Sequence, residues 1–261
     1  MYINIKWMSV FLFMLVVTAR AENTNISSQN IKKMNNEELI QLFLEGNGFS
    51  EITERIRENN SDQNEELGKL LLRHWKESSD AGLVKARCLQ GLRLVKSQEA
   101  VDYFITQLFD GETKTDRVLA AHQLGILKNA SAVPALEYAV STDRGKVAAE
   151  AISALGKIGE PAVPSLMRIW EDKGLRVGCE ERIISAIGYT KDIRFRPILL
   201  NVLEGKDDLG RDNAARILGE IGDATVLPEL KKYQNDSNKQ VKENVLEAIS
   251  KIEQRVQKEE K

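Results

Sequence analysis

An apolar residue followed by glycine recurs along this chain at a nearly fixed step: Leu124-Gly125, Leu155-Gly156, Ile187-Gly188 and Leu218-Gly219, separated by 31, 32 and 31 residues. The next step of 31 lands on Ile249-Ser250, and a looser copy upstream ends at Gln90-Gly91. A unit of this length is one supersecondary motif, too small to bury its own apolar face, so it must stack on its neighbours. The period therefore restricts the chain to a repeat architecture before any secondary structure is assigned.

The columns of the frame say what each unit contains. Five residues before the glycine stand Ala86, Ala120, Ala151, Ile183, Ala214 and Val245, and three further on Ala154, Ala186, Ile217 and Ala248. That spacing makes one helical stripe of small or branched side chains, suited to close helix packing. A turn with Gly159 or Gly222 then leads to Pro134, Pro164, Pro197 and Pro228, so four of the five prolines share one repeat position. Proline fits the first turn of a helix, where its missing N–H had no helical partner. Leu136, Leu166, Leu199 and Leu230 follow two residues later, with Ala139, Ile169, Val202 and Tyr233 one turn beyond. Each unit thus predicts a helix, a glycine turn and a second, short amphipathic helix. The fold class is all-α, an α-solenoid of about six helix pairs.

The runs from Glu150 to Leu166 and from Asn213 to Leu230 closely resemble the short HEAT repeat of bacterial proteins, the variety first associated with phycobilisome lyases. The resemblance covers about Ser79 to Glu253 and implies an armadillo-like helical stack. The Val-Arg opening of such repeats is matched at its basic position by Arg117, Arg211 and Lys242 but not by Ala148 or Glu180, so an unbroken ladder of ion pairs between units is not expected. In solenoids of this type the second helices line the concave side. The positions just after the inward leucines are then Glu137 and Tyr138, Met167 and Arg168, Leu200 and Asn201, and Lys231 and Lys232. They form the candidate partner-binding row, running from acidic-aromatic through apolar to basic, with Tyr138, Met167 and Arg168 its strongest members because aromatic, Arg and Met side chains suit interfaces. The competing reading makes them ordinary solvated positions. HEAT-like deoxyhypusine hydroxylases hold iron through His-Glu pairs, whereas here His74 precedes Trp75 and His122 precedes Gln123. The lyase-like enzyme remains the alternative to a scaffold.

The flanks differ from the repeats. Lys6, the uncharged run Trp7 to Val17 and the small residues Ala19 and Ala21 have the three parts of a signal peptide over residues 1–21. Eleven apolar residues are too few to span a bilayer, which needs about 20. Cleavage before Glu22 gives an exported chain, periplasmic or secreted, with no membrane span after processing. Residues 22–34 read as a polar disordered spacer. Residues 35–78 carry helical spacing without the repeat signature and read as an N-terminal helical cap, residues 79–254 as the solenoid and residues 255–261 as a charged tail.

Formal net charge is −2, and cleavage would remove Lys6 and Arg20 without an acid, leaving −4. That balance excludes a general nucleic-acid binder. Cys88 and Cys179 lie three units apart, roughly 30 Å at ~10 Å per helix spacing, too far for a disulfide. Cys88 and His122 share a column with Ser153, Ser185, Arg216 and Glu247, the profile of a solvated face, and neighbouring columns are too far apart for one zinc ion. Both cysteines read as free, with Cys179 buried. The sequence contains no phosphate loop, nucleophile elbow or paired metal-ligand motif, and the isolated glycines read as repeat turns. The expectation is a scaffold that binds a protein or peptide, with no catalytic residue, metal or cofactor.

Overall fold

A computed structural model of the chain describes residues 33–46, 49–79 and 82–259. The signal peptide and nearly all of the spacer lie outside the described residues. Among those residues there is no strand, and no helix is long and apolar enough to cross a membrane. The chain divides into two compact units at Asn60. The first holds α1 (Asn36–Glu45) and α2 (Phe49–Glu58). Asn35 and Glu38 form a reciprocal capping box that starts α1, and Gly46, at φ 87°, ends it in the left-handed region.

The second unit starts with α3 (Ser61–Glu77). It continues as alternating first and second helices: α4 (Leu83–Leu94) with α5 (Gln98–Asp110), α6 (Lys114–Leu127) with α7 (Val133–Thr142), and α8 (Lys146–Ile158) with α9 (Val163–Glu171). After the short α10 (Lys173–Arg176) come α11 (Glu180–Thr190) with α12 (Arg196–Leu203), α13 (Asp208–Ile221) with α14 (Leu227–Lys232), and α15 (Lys239–Glu259) alone. The all-α solenoid read from the period is what the chain forms. Helix α3, grouped by sequence with the cap, packs on α4 and α5 within the repeat unit. Trp75 fixes it there, edge-on to Phe104 at 4.9 Å and to Tyr103 at 6.1 Å. At the other end the charged tail is helical to Glu259, because Ile252 is buried and Arg255 donates to the carbonyls of Gly219 and Gly222.

The repeat frame holds from α6 onward and shifts in α4. Ala120, Ala151, Ile183, Ala214 and Val245 are all buried, but Ala86 is exposed. Cys88 takes its place, fully buried, with Leu92 in the leucine column. The α4 frame is therefore two residues later than the glycine at position 91 implied. The backbone agrees: Lys96, Lys128, Gly159 and Lys191 all have φ between 53° and 91°, one positive-φ residue at the same place after α4, α6, α8 and α11, and Lys96 fits only the later frame. Cys88 thus belongs to the core, not to a solvated face, and burial pushes its thiol up to about 11. Ser153 is buried too, so that column is a half-buried flank. Cys179 is half-exposed instead of buried, and both cysteines are free thiols.

Gly159 and Gly222 end α8 and α13 as turn residues, but the glycines that mark the period do not. Gly125, Gly156, Gly188 and Gly219 lie inside α6, α8, α11 and α13, and their lack of a side chain serves helix contact. A Cβ on Gly125 would stand 2.9 Å from the Cα of Ala154, on Gly156 2.7 Å from that of Ala186, and on Gly219 2.9 Å from that of Ala248. Glycine of one unit and alanine of the next form a paired notch that lets first helices touch backbone to backbone. Gly188 faces Ile217 instead, with side-chain atoms at 3.1 Å and 3.2 Å. The branched side chain holds α13 off α11, and this junction is less extensive than α8 on α11 or α13 on α15.

From α7 onward, each second helix starts from a single 3₁₀ turn followed by proline in its first turn, as at Pro134, Pro164, Pro197 and Pro228. Asn129, Asp192 and Asp223 brace three of these turns by accepting from the N–H two residues on. Leu136, Leu166, Leu199 and Leu230 are fully buried and anchor the second helices to the first. The ion-pair ladder is broken where the basic position is missing: Arg117 reaches Asp143 and Arg211 reaches Asp236, but Ala148 is core and Glu180 accepts from the Gly178 N–H.

Candidate functional site

The eight residues of the candidate row sit on α7, α9, α12 and α14, but the charge gradient expected along them is largely cancelled inside the chain. Glu137 on α7 accepts from both Nε and Nη2 of Arg168 on α9, each at 2.7 Å, and from the Ser165 hydroxyl at 2.6 Å. The Arg168 guanidinium holds the Glu137 carboxyl below its ordinary range. Lys232 is tied to Glu229 at 2.6 Å and Lys231 to Glu253 at 2.9 Å. The acidic and basic ends of the row are thus satisfied by neighbours, leaving little uncompensated charge with which to orient a ligand.

What the row leaves unpartnered is apolar. Tyr138 is 59% exposed and its ring lies edge-on to that of Phe109, at 5.7 Å between centroids. Phe109 is 40% exposed and ends α5, the second helix of the preceding unit. Met167 and Leu200 are half-buried. Phe109 was missed by the sequence reading because the α5 unit lacks the proline and leucine columns that defined the row. Its signal was a phenylalanine directly after the apolar Leu108 at the end of a helical stripe.

Asn201 faces elsewhere. Together with Val202 it lines a solvent-open cleft of about 1170 Å³ that the sequence did not suggest. The cleft is lined by residues of four successive units, from Val140 to Gly210, beside the looser junction of α11 with α13. Its rim is the segment carrying α10. Asp172 caps that helix through the Gly174 and Leu175 amides. Arg144 donates to the Gly174 carbonyl at 3.1 Å, and Arg176 donates to the Trp170 carbonyl at 3.2 Å while lying over the Trp170 ring at 5.1 Å. The signal for this rim was the glycine pair at 174 and 178 between α9 and α11, where other units run on more directly.

His122 pairs with Glu150 at 2.8 Å, with Lys157 close to both. It joins α6 to α8 and is structural. No group of three His, Cys, Asp or Glu side chains among the described residues is placed to hold a metal ion.

The sequence model for HEAT repeats matches residues 101–177 and 195–260, more than half of the chain. The chain belongs to the HEAT repeat family. Its solved likenesses include an engineered protein at 15% identity, covering 85% of this chain and 98% of that one with a TM-score of 0.45. Human deoxyhypusine hydroxylase in complex with glycerol is similar at 14% identity, covering 87% and 97% with a TM-score of 0.40. The complex of CpcE and CpcF of phycocyanin lyase from Nostoc sp. PCC7120 is similar at 21% identity, covering 89% and 97% with a TM-score of 0.37. No curated protein matches the chain. At these identities and TM-scores the likenesses carry no activity to this HEAT repeat chain.

Proposed function

We propose that this chain is an exported HEAT repeat scaffold that binds an extended segment of a partner protein along its second helices. The observation that carries the reading is the Phe109–Tyr138 pair: two aromatic rings on adjoining second helices, exposed, edge-on to each other and rimmed by side chains whose charges are already paired. Aromatic anchors within a neutralised polar rim are what a binding hot spot requires. Half-buried Met167 and Leu200 extend the strip with adaptable apolar surface. The leader-like pattern of residues 1–21 supports export.

The test is recovery of a partner from the exported fraction by tagged chain, followed by a measured affinity. Replacing Phe109 and Tyr138 together by Ala is expected to weaken binding roughly thirtyfold or more, the loss of about 2 kcal/mol that defines a hot spot. Because both rings are exposed, the melting temperature stays nearly unchanged. Undiminished affinity in the double variant refutes the assignment.

A further inference from the structure

We propose that the cleft beside α10 is a second binding site, for an acidic segment of polypeptide that also carries an apolar side chain. Arg117, Arg168, Arg194, Arg196, Arg211 and Arg216 each hold a carboxylate of this chain. The four cations lining the cleft, Arg144, Arg176, Arg182 and Lys206, hold none among the described residues. Arg144 and Arg176 use part of their donor sets on backbone carbonyls, and exposed Arg182 and Lys206 make no side-chain hydrogen bond among the described residues.

The carboxylates of the lining are mostly committed elsewhere. Asp143 takes Arg117, Glu180 accepts from the Gly178 N–H at the start of α11, and Asp207 accepts from the Gly210 N–H at the start of α13. The last two offset the positive ends of their own helices. Glu181 alone is uncommitted among the described residues. The cleft therefore faces solvent with four cations lacking carboxylate partners, three of them guanidinium groups whose planar fork matches a carboxylate.

Size and lining select the occupant. At about 1170 Å³ the cleft exceeds the roughly 300–1000 Å³ of a typical small-molecule pocket, and its lining comes from four successive units. Trp170, Leu175 and the 70% exposed Val177 give it an apolar rim. A single small anion or a polyphosphate chain leaves that apolar rim unused. An acidic peptide with one apolar residue satisfies both parts. This site goes beyond the second-helix strip and is read through different side chains.

The experiment uses the full chain and a fluorescein-labelled peptide of Asp and Glu residues around one Phe, with the same peptide carrying Lys for every acid as control. Fluorescence anisotropy is expected to show binding of the acidic peptide only, weakening as salt rises from about 0.05 M to about 0.5 M as charges are screened. Exposed R182Q with K206Q is expected to weaken it about tenfold or more, the scale of two lost charge-assisted hydrogen bonds. Cys179 lines the cleft, so bound peptide is expected to slow its reaction with N-ethylmaleimide, while buried Cys88 stays unreacted and reports that the variant is folded. The proposal is overturned if the acidic peptide fails to bind, if the Lys peptide binds equally, or if the double variant binds as well as the parent. Displacement of the peptide by an equal concentration of inorganic phosphate also overturns it, by making the cleft a simple anion site. None of these outcomes depends on Phe109 or Tyr138.

Discussion

Replacing Gly156 by Ala and, separately, Gly188 by Ala should move stability in different directions, although both glycines occupy the same repeat position. In a helix interior the change to Ala is favourable by about 1 kcal/mol at either site. Against that gain, the new Cβ at position 156 would lie 2.7 Å from the Cα, 2.8 Å from the Cβ and 2.8 Å from the carbonyl oxygen of Ala186. Two of those atoms are backbone and cannot swing aside, so α8 and α11 must separate along a contact that includes Ile152, Leu155, Ile183 and Ile187, all fully buried. Overpacking of this kind costs about 3 kcal/mol, the upper part of its usual range. The net is a loss of about 2 kcal/mol, a fall in melting temperature of about 4–8 °C for a stack of this size. At position 188 the neighbours are the Cδ1 and Cγ1 of Ile217, at 3.1 Å and 3.2 Å, the free end of a side chain. A small rotation relieves the contact, and the propensity gain leaves this variant unchanged or more stable by up to about 1 kcal/mol. Thermal unfolding followed by circular dichroism at 222 nm, a wavelength that reports helix, decides the matter. Equal shifts for the two variants would refute the paired-notch explanation of the repeat glycines.

Two further outcomes follow from individual contacts. Ala151→Asp is expected to destabilise the stack by about 3 kcal/mol or more, since it buries an unpaired carboxylate, whereas Glu150→Ala loses its bonds to His122 and Lys157 and costs about 1 kcal/mol or less; chemical denaturation compares them. The lowered pKa of Glu137 means that its pairing with Arg168 contributes fully above the unfolded value of about 4.3 and is lost as pH falls through the folded one. Since Arg168 is mostly exposed the contribution is under about 1 kcal/mol. Denaturation at a series of pH values should show Glu137→Gln less stable than the parent at neutral pH, with the gap closing as the solution is acidified below about pH 4.

The fold was legible because the repeat makes each column testify several times. Four leucines after four prolines locate the second helices, and five buried residues from Ala120 to Val245 confirm the first. The α4 unit was misplaced by two residues because Gly91 imitates the marker column, where the structure has Arg93. Only the buried Cys88 and the left-handed Lys96 reveal the true frame. The role of the glycines was hidden for a different reason: a 2.7 Å approach between Gly156 and Ala186 is a relation between units, invisible within either one. The same limit applies to the candidate row. The eight positions fall on the second helices, but the pairing of Glu137 with Arg168, 31 residues apart, turned an expected gradient into a neutral rim. The cleft escaped notice because its rim is the α10 segment, which belongs to no repeat column, and its walls combine columns of different units.

The second-helix strip is the proposed seat of the partner. A photoreactive benzoylphenylalanine placed at Tyr138, irradiated in cells that make the full chain, tests it most directly, with the same group at Glu247 on the first-helix side of α15 for comparison. The account predicts that Tyr138 yields one dominant crosslinked protein, identifiable by mass spectrometry, and that Glu247 does not yield it. A dominant crosslink from Glu247 with none from Tyr138 would contradict the claim.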